Sequence, residues 1–108
     1  MARTGSLICH IVSRQVWETA IQEGGYQPPS LQQEGFIHFS YPHQTAATGR
    51  RFYAGQSGLV LLWIDPALLR AELRVEQAAD VGESFPHLYG PLNIDAVVDM
   101  TDFDPDGV

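Results

Sequence analysis

Residues 58–64 read GLVLLWI, the most apolar run of the chain. Bounded by Gly58 on one side and by Asp65-Pro66 on the other, an uninterrupted apolar run of this length is the pattern of a strand covered on both faces, so it predicts the central strand of a sheet. Downstream, Asp65 and Pro66 read as the N-cap and first residue of a short turn, PALLR, and AELRVEQA (71–78) alternates like a half-exposed strand. Residues 79–85 are polar and are expected to lead as a connection into PHLYG; a last strand falls around Ala96–Met100, and the acidic TDFDPDGV (101–108) is expected to be a loose tail.

Upstream, Pro42 is placed for the first turn of a helix that continues through Ala46, Ala47, Arg50, Arg51 and Phe52 toward Gly55, with Gly49 weakening its interior. FIHFS (36–40) reads as a strand, and YQPPSLQQEG (26–35) as a loop with one helical turn at Ser30–Glu34. Ser13 is a plausible N-cap for a helix in which Val16, Trp17, Ala20 and Ile21 recur at helical spacing until Gly24-Gly25. LICHIV (7–12) is the first strand. Strand, helix, strand, helix, then several strands is the order of an α+β domain: two N-terminal helices packed on a mostly antiparallel sheet.

The chain has 108 residues, enough for one domain (core about 7–100) that buries a sizeable core without disulfide or metal staples. Cys9 is the single cysteine, so no internal disulfide exists, and in a strand-like run it reads as a small buried hydrophobe. Thirteen acidic residues face six arginines and no lysine, for a net charge of -7, and such a surface repels polyphosphates, which argues against a general nucleic-acid binder. A small anionic ligand remains compatible if arginines gather locally, and Arg50-Arg51 is the only adjacent basic pair. No run approaches the roughly 20 apolar residues of a membrane helix, and MARTGSLICHIV lacks the length and cleavage site of a signal peptide, so a cytoplasmic location with no membrane partner is expected.

Three histidines stand in apolar or aromatic segments: His10 in LICHIV, His38 in FIHFS and His87 in SFPHLYGPLN. Convergent, they make a site; dispersed, they are ordinary half-buried side chains. Alternation puts His38 on one face with Phe36 and Ser40, and Ile37 and Phe39 on the other. A metal reading lacks zinc-type spacing or a His-Glu-x-x-His helix, so no metal is expected. Cys9 and His10, as strand neighbours, point to opposite faces, and no G-x-S-x-G elbow accompanies Ser40, which leaves a nucleophile poorly supported. Neither G-x-G-x-x-G nor a Walker sequence occurs, so any nucleotide must be held by side chains of strands and their loops. A stacking ring, imidazoles and a hydroxyl suit recognition of a ribose and an amide. Against this stand plainer readings: His10 as a core histidine bonded to a backbone carbonyl, His87 as a turn cap four residues after Glu83, His43 as solvated near a helix start, Arg50-Arg51 as a helix end complementing the dipole, and Trp17, Trp63, Tyr26 and Tyr53 as core and rim.

ICHIV with its following tryptophan and alanine, then SLQQEGFIHFS, RFYAG, LVLLWID and FPHLYGPLN, together resemble the small, mostly bacterial proteins of domain of unknown function 952, from about Leu7 to Met100. The resemblance implies a fold related to the ADP-ribosyltransferases, a split sheet whose cleft holds NAD, on the branch that includes the RNA 2'-phosphotransferases. On that branch one histidine comes from the first strand and another from the second, which match His10 and His38; the catalytic glutamate of other ADP-ribosyltransferases is replaced by a hydrophobic residue. NAD is thereby the expected co-substrate, with His10 at the ribose or nicotinamide amide and His38 at the nicotinamide ribose, both in catalytic roles. Ser40, Arg50, Arg51 and His87 complete the expected binding set, the arginines toward the pyrophosphate. The chain departs from the basic surface of RNA phosphotransferases, so a protein, small-molecule or nucleotide acceptor is expected instead of RNA. Two functions are carried forward: an NAD-utilising ADP-ribosyltransferase-like enzyme with an unidentified acceptor, and a catalytically silent module that binds a nucleotide or small molecule.

Overall fold

The computed structural model describes residues 6–78 and 80–107, so residues 1–5 of the N-terminal segment, Ala79 of the polar connection and Val108 of the tail lie outside the described residues. Strand β1 (Ile8–Ser13) ends at the residue that caps helix α1 (Arg14–Glu23). The Ser13 hydroxyl accepts the Val16 N–H at 3.1 Å, satisfying one of the amides that a helix start leaves unpaired. Gly24 stops the helix in the left-handed conformation at φ 82°, its N–H returning to the Ala20 and Ile21 carbonyls. Helix α2 (Pro29–Glu34) starts on a proline and ends at Gly35, φ 88°, a turn that delivers Phe36 to the short strand β2 (Ile37–His38). A 3-10 turn at Pro42–Gln44 runs directly into α3 (Thr45–Tyr53). Four strands follow: β3 (Leu59–Ile64), β4 (Glu72–Ala78), β5 (Glu83–Tyr89) and β6 (Val97–Phe103).

The strands form two antiparallel sheets, β1-β3-β6 and β2-β5-β4. They meet at one corner, where Cys9 and Ser40 exchange backbone N–H···O bonds of 2.7 and 2.8 Å. The central position of the GLVLLWI strand follows from its burial. Val60, Leu62 and Ile64 face the main core with Ile8, Trp17, Ile37 and Leu88, while Leu59 and Leu61 face a second cluster with Cys9 and Ile11 beneath Tyr53 and Phe103. Each fully buried leucine or isoleucine contributes roughly 1.5–3 kcal/mol, so this strand alone anchors much of the fold. Trp17 and Ala20 bring α1 onto the same core.

Three sequence expectations are corrected. Residues 83–89 are not part of a polar connection but a strand, and the middle one of its sheet. Pro86 hides it, since proline ordinarily argues against a central strand. Here the Phe39 N–H donates to the Pro86 carbonyl at 3.0 Å, so that side of Pro86 faces β2, whose two-residue ladder ends there and asks for no further donor. The tail is not loose either: Thr101, Asp102 and Phe103 pair with Leu61, Val60 and Leu59, Pro105 is fully buried, and Asp106 accepts the Gly55 N–H at 2.8 Å. The second strand is shorter than 36–40, because beyond His38 the chain turns away from β5 to bridge Cys9.

Candidate functional site

Period-two alternation sorts the second sheet into a core face and an outer face. Ile37, Pro86 and Leu88 point inward, whereas Phe36, His38, His87 and Tyr89 gather on the outer face with Arg74 and Glu76 of β4. His38 and His87 lie directly opposite each other in the β2/β5 register, and Arg74 lies opposite His87 on the other side. The Phe36 ring stacks on His87, with centroids 4.1 Å apart and planes 16° apart, and meets His38 edge-on at 4.8 Å. The two imidazole centres are 5.2 Å apart.

Each of these histidines leans on a carboxylate. His87 Nδ1 donates to Glu76 Oε1 at 2.7 Å, and its side chain is only 13% exposed; His38 Nε2 donates to Glu34 Oε1 at 2.5 Å, with both partners about half exposed. A carboxylate only accepts, so each ring carries a proton on the bonded nitrogen, and in its neutral form the lone pair lies on the other. The Tyr89 hydroxyl donates to the same Glu76 oxygen at 2.7 Å. These two donors, tyrosine first, hold the Glu76 carboxyl below the usual carboxylate range, and the bond to Glu76 in turn pushes the Tyr89 phenol up. Arg74 lies over the Tyr89 ring at 4.5 Å and is engaged by Glu72, whose carboxyl is lowered in turn. The face is therefore aromatic, rich in imidazole and acidic at its rim.

His10 does not join it. Its Nδ1 donates to the His38 carbonyl at 2.6 Å, and its Nε2 accepts the Tyr26 hydroxyl at 2.8 Å, so neither nitrogen is left for a ligand. The ring lies between Tyr26 and Phe39, on the inner side of the strand whose outer side carries His38. Burial pulls its pKa down to about 4, partly opposed by the bond to the His38 carbonyl, and the ring is neutral at neutral pH. This is the plainer reading of His10, a core histidine on a backbone carbonyl, and its effect is to brace β2. Tyr26 is itself fixed by backbone bonds to Leu92.

The remaining expected residues disperse. Ser40 is buried and pairs with Thr48 of α3 rather than sharing an open ridge with His38. Arg51 binds Asp80 at the tip of the β4–β5 hairpin, about 13 Å along the strand from His87 at the rise of an extended chain, and Arg50 is exposed on α3. His87 caps no turn, and His43 is exposed, stacked on Tyr41. Hollows lie elsewhere among the described residues. One of about 520 Å³ is lined by Tyr26, Tyr53, Pro28, Pro29, Val16 and Thr19, and one of about 390 Å³ lies between Trp17, Ile21, Val98 and Met100. Among the described residues no group of three potential metal ligands forms, and no helix is long and apolar enough to cross a membrane.

Glu76 and Tyr89 are the residues that sequence reasoning passed over as functional, whereas Phe36 was expected as the stacking ring beside His38 and does stack, on His87. The signal was present as alternation: Glu72, Arg74 and Glu76 on one strand and Phe85, His87 and Tyr89 on the next share a period of two.

The family model described as "Protein of unknown function (DUF952)" matches residues 11–100. Protein CC0527 from Caulobacter crescentus has a similar fold: its crystal structure aligns at a TM-score of 0.83 with 36% identity, over 95% of this chain and 92% of that one. The solution NMR structure of CC0527 aligns at a TM-score of 0.71, over 94% and 90% of the two chains. No curated protein matches the chain.

Proposed function

We propose that this chain, which belongs to the DUF952 family of unknown function, is an NAD-utilising ADP-ribosyltransferase-like enzyme whose ligand lies across Phe36, His38 and His87. The observation that carries the reading is the Phe36–His87 stack with His38 beside it: a flat aromatic platform flanked by two imidazole lone pairs. A platform of that kind receives a nicotinamide or adenine ring, and the free His38 Nδ1 accepts from a ribose hydroxyl. Two antiparallel sheets meeting at one corner agree with the split sheet that the family resemblance implies. The donor set fits the ring and sugar better than the pyrophosphate, for which Arg74 is the guanidinium at this face and is already shared with Glu72. His10 acts in this reading by positioning the His38 backbone, not by touching the ligand.

The second reading, a silent binding module, is favoured by the 520 Å³ hollow beside Tyr26 and Tyr53, which has the volume of a small-molecule site and contains none of the outer-face histidines. Thermal shifts with NAD, ADP-ribose and nicotinamide on wild type, His38→Ala and Phe36→Ala, with nicotinamide release followed by chromatography, separate the two. Ligand at about 100 times its Kd adds roughly 2.7 kcal/mol of stability. Release of nicotinamide that both variants lose, while they stay folded, supports the enzyme. A shift that survives in both variants and is abolished by Thr19→Trp moves the ligand to the hollow and removes the enzyme reading.

A further inference from the structure

We infer that His87 is the general base of this face, oriented by Glu76, and that the acceptor it activates is an oxygen nucleophile, a neutral hydroxyl or water. The inference deepens the NAD reading and rests on it for the identity of the reaction. Its geometry does not depend on that reading. With Nδ1–H committed to Glu76, the lone pair of His87 sits on Nε2, which has no hydrogen-bond partner among the described residues. No buried side-chain nitrogen or oxygen among the described residues lacks a partner, so Nε2 reaches the surface although the side chain is only 13% exposed. The Phe36 stack holds the ring plane, and Glu76 is itself gripped by the Tyr89 hydroxyl. Packed from one side, bonded at Nδ1 and open at Nε2, the imidazole has the arrangement required of an oriented base. His38 lacks that rigidity, since its own carboxylate partner on α2 is half exposed.

The charged and titratable groups facing His87 are Glu76 and Arg74 on β4, Tyr89 on β5, and His38 on β2 with Glu34 behind it. Two carboxylates, Glu34 and Glu76, face a single guanidinium that Glu72 already engages, and this balance favours an acceptor without negative charge. In the step, the acceptor O–H gives its proton to His87 Nε2 while its oxygen bonds the ribose carbon. Nicotinamide leaves that carbon as a neutral molecule with the electron pair of the broken C–N bond. Glu76 offsets the imidazolium charge, and the proton then passes to water. Glu76 is thus a positioning residue and His87 a catalytic one.

Two measurements test this. Long-range nitrogen–proton NMR of the ligand-free protein reads the tautomer: wild type is expected to carry the His87 proton on Nδ1, and Glu76→Gln to lose that preference. Nicotinamide release from NAD, in water and with added glycerol as the acceptor probe, is expected to fall about 100-fold or more in kcat in His87→Gln. Glu76→Gln should move the acidic limb of the pH profile, and it keeps the test if His87→Gln fails to fold. An Nε2–H tautomer in wild type, or undiminished release by a folded His87→Gln, overturns the base while leaving the NAD reading standing. No release by wild type with the tautomer intact overturns the NAD reading and this reaction with it.

Discussion

His10 makes acid sensitivity a quantitative test of the way β2 is braced. In the folded chain its pKa lies at about 4, against about 6.5 for a free imidazole, because burial disfavours the charged ring. Both nitrogens are also committed, Nδ1 as donor to the His38 carbonyl and Nε2 as acceptor from Tyr26, and a proton on Nε2 would set two donors against each other. The unfolded chain takes up the proton first, so stability is lost as pH falls through 6.5 and the loss levels off only below 4. Between pH 7.5 and pH 5.0 the difference amounts to about 2 kcal/mol, a large share of the 5–15 kcal/mol that holds a domain together. The carboxylates with lowered values, Glu72, Glu76, Asp80 and Asp95, contribute stability that is lost at lower pH, largely below 4.5 and so outside this window. Urea unfolding at the two pH values, followed by the fluorescence of buried Trp17, measures it, with His10→Asn as the comparison. Asparagine keeps a donor for the His38 carbonyl and cannot titrate, so its stability should change by about 2 kcal/mol less than that of wild type. Equal changes in the two proteins would show that His10 is not a buried neutral brace.

Three further outcomes follow from the packing. Gly49→Ala, normally a gain of up to about 1 kcal/mol inside a helix, should instead lower Tm, since a Cβ there would lie 2.5 Å from the Phe103 ring and overpacking costs about 1–3 kcal/mol; an unchanged or higher Tm would mean that Phe103 moves aside freely. Gln44→Ala should cost about 1–3 kcal/mol in chemical unfolding, because this buried side chain accepts the Tyr41 N–H and donates to Glu83 and to the Ser84 carbonyl; a loss below 0.5 kcal/mol, about the effect of a neutral surface change, would count against that bridge. Cys9 is fully buried and its thiol is pushed up to about 12 by burial, so a disulfide reagent at pH 8 should label the native protein only at the rate of its opening; labelling as fast as in urea would place the thiol at the surface.

Which parts of this structure the sequence discloses depends on whether one residue's environment is local. Ser13, Gly24 and Pro66 announce their caps and turns because the bonds they make or break lie within a few residues, and the GLVLLWI run announces its position because burial on both faces leaves no polar alternation. Pro86 misleads because its acceptability depends on where a strand nearly fifty residues earlier in the chain stops pairing, and no local pattern records that. The same distance governs the site. His38 and His87 are 49 positions apart and opposite in register only because β5 is a strand, so losing β5 to Pro86 also hid their pairing, and with it Glu76 and Tyr89. His10, by contrast, was visible as a histidine in a strand, but the choice between ligand contact and structural brace turned on Tyr26, supplied by the loop after α1. A histidine's role is set by what meets its second nitrogen. In His10 that place is filled by a phenol, whereas in His87 it has no partner among the described residues, and the proposed chemistry is placed on the outer face of the second sheet for that reason.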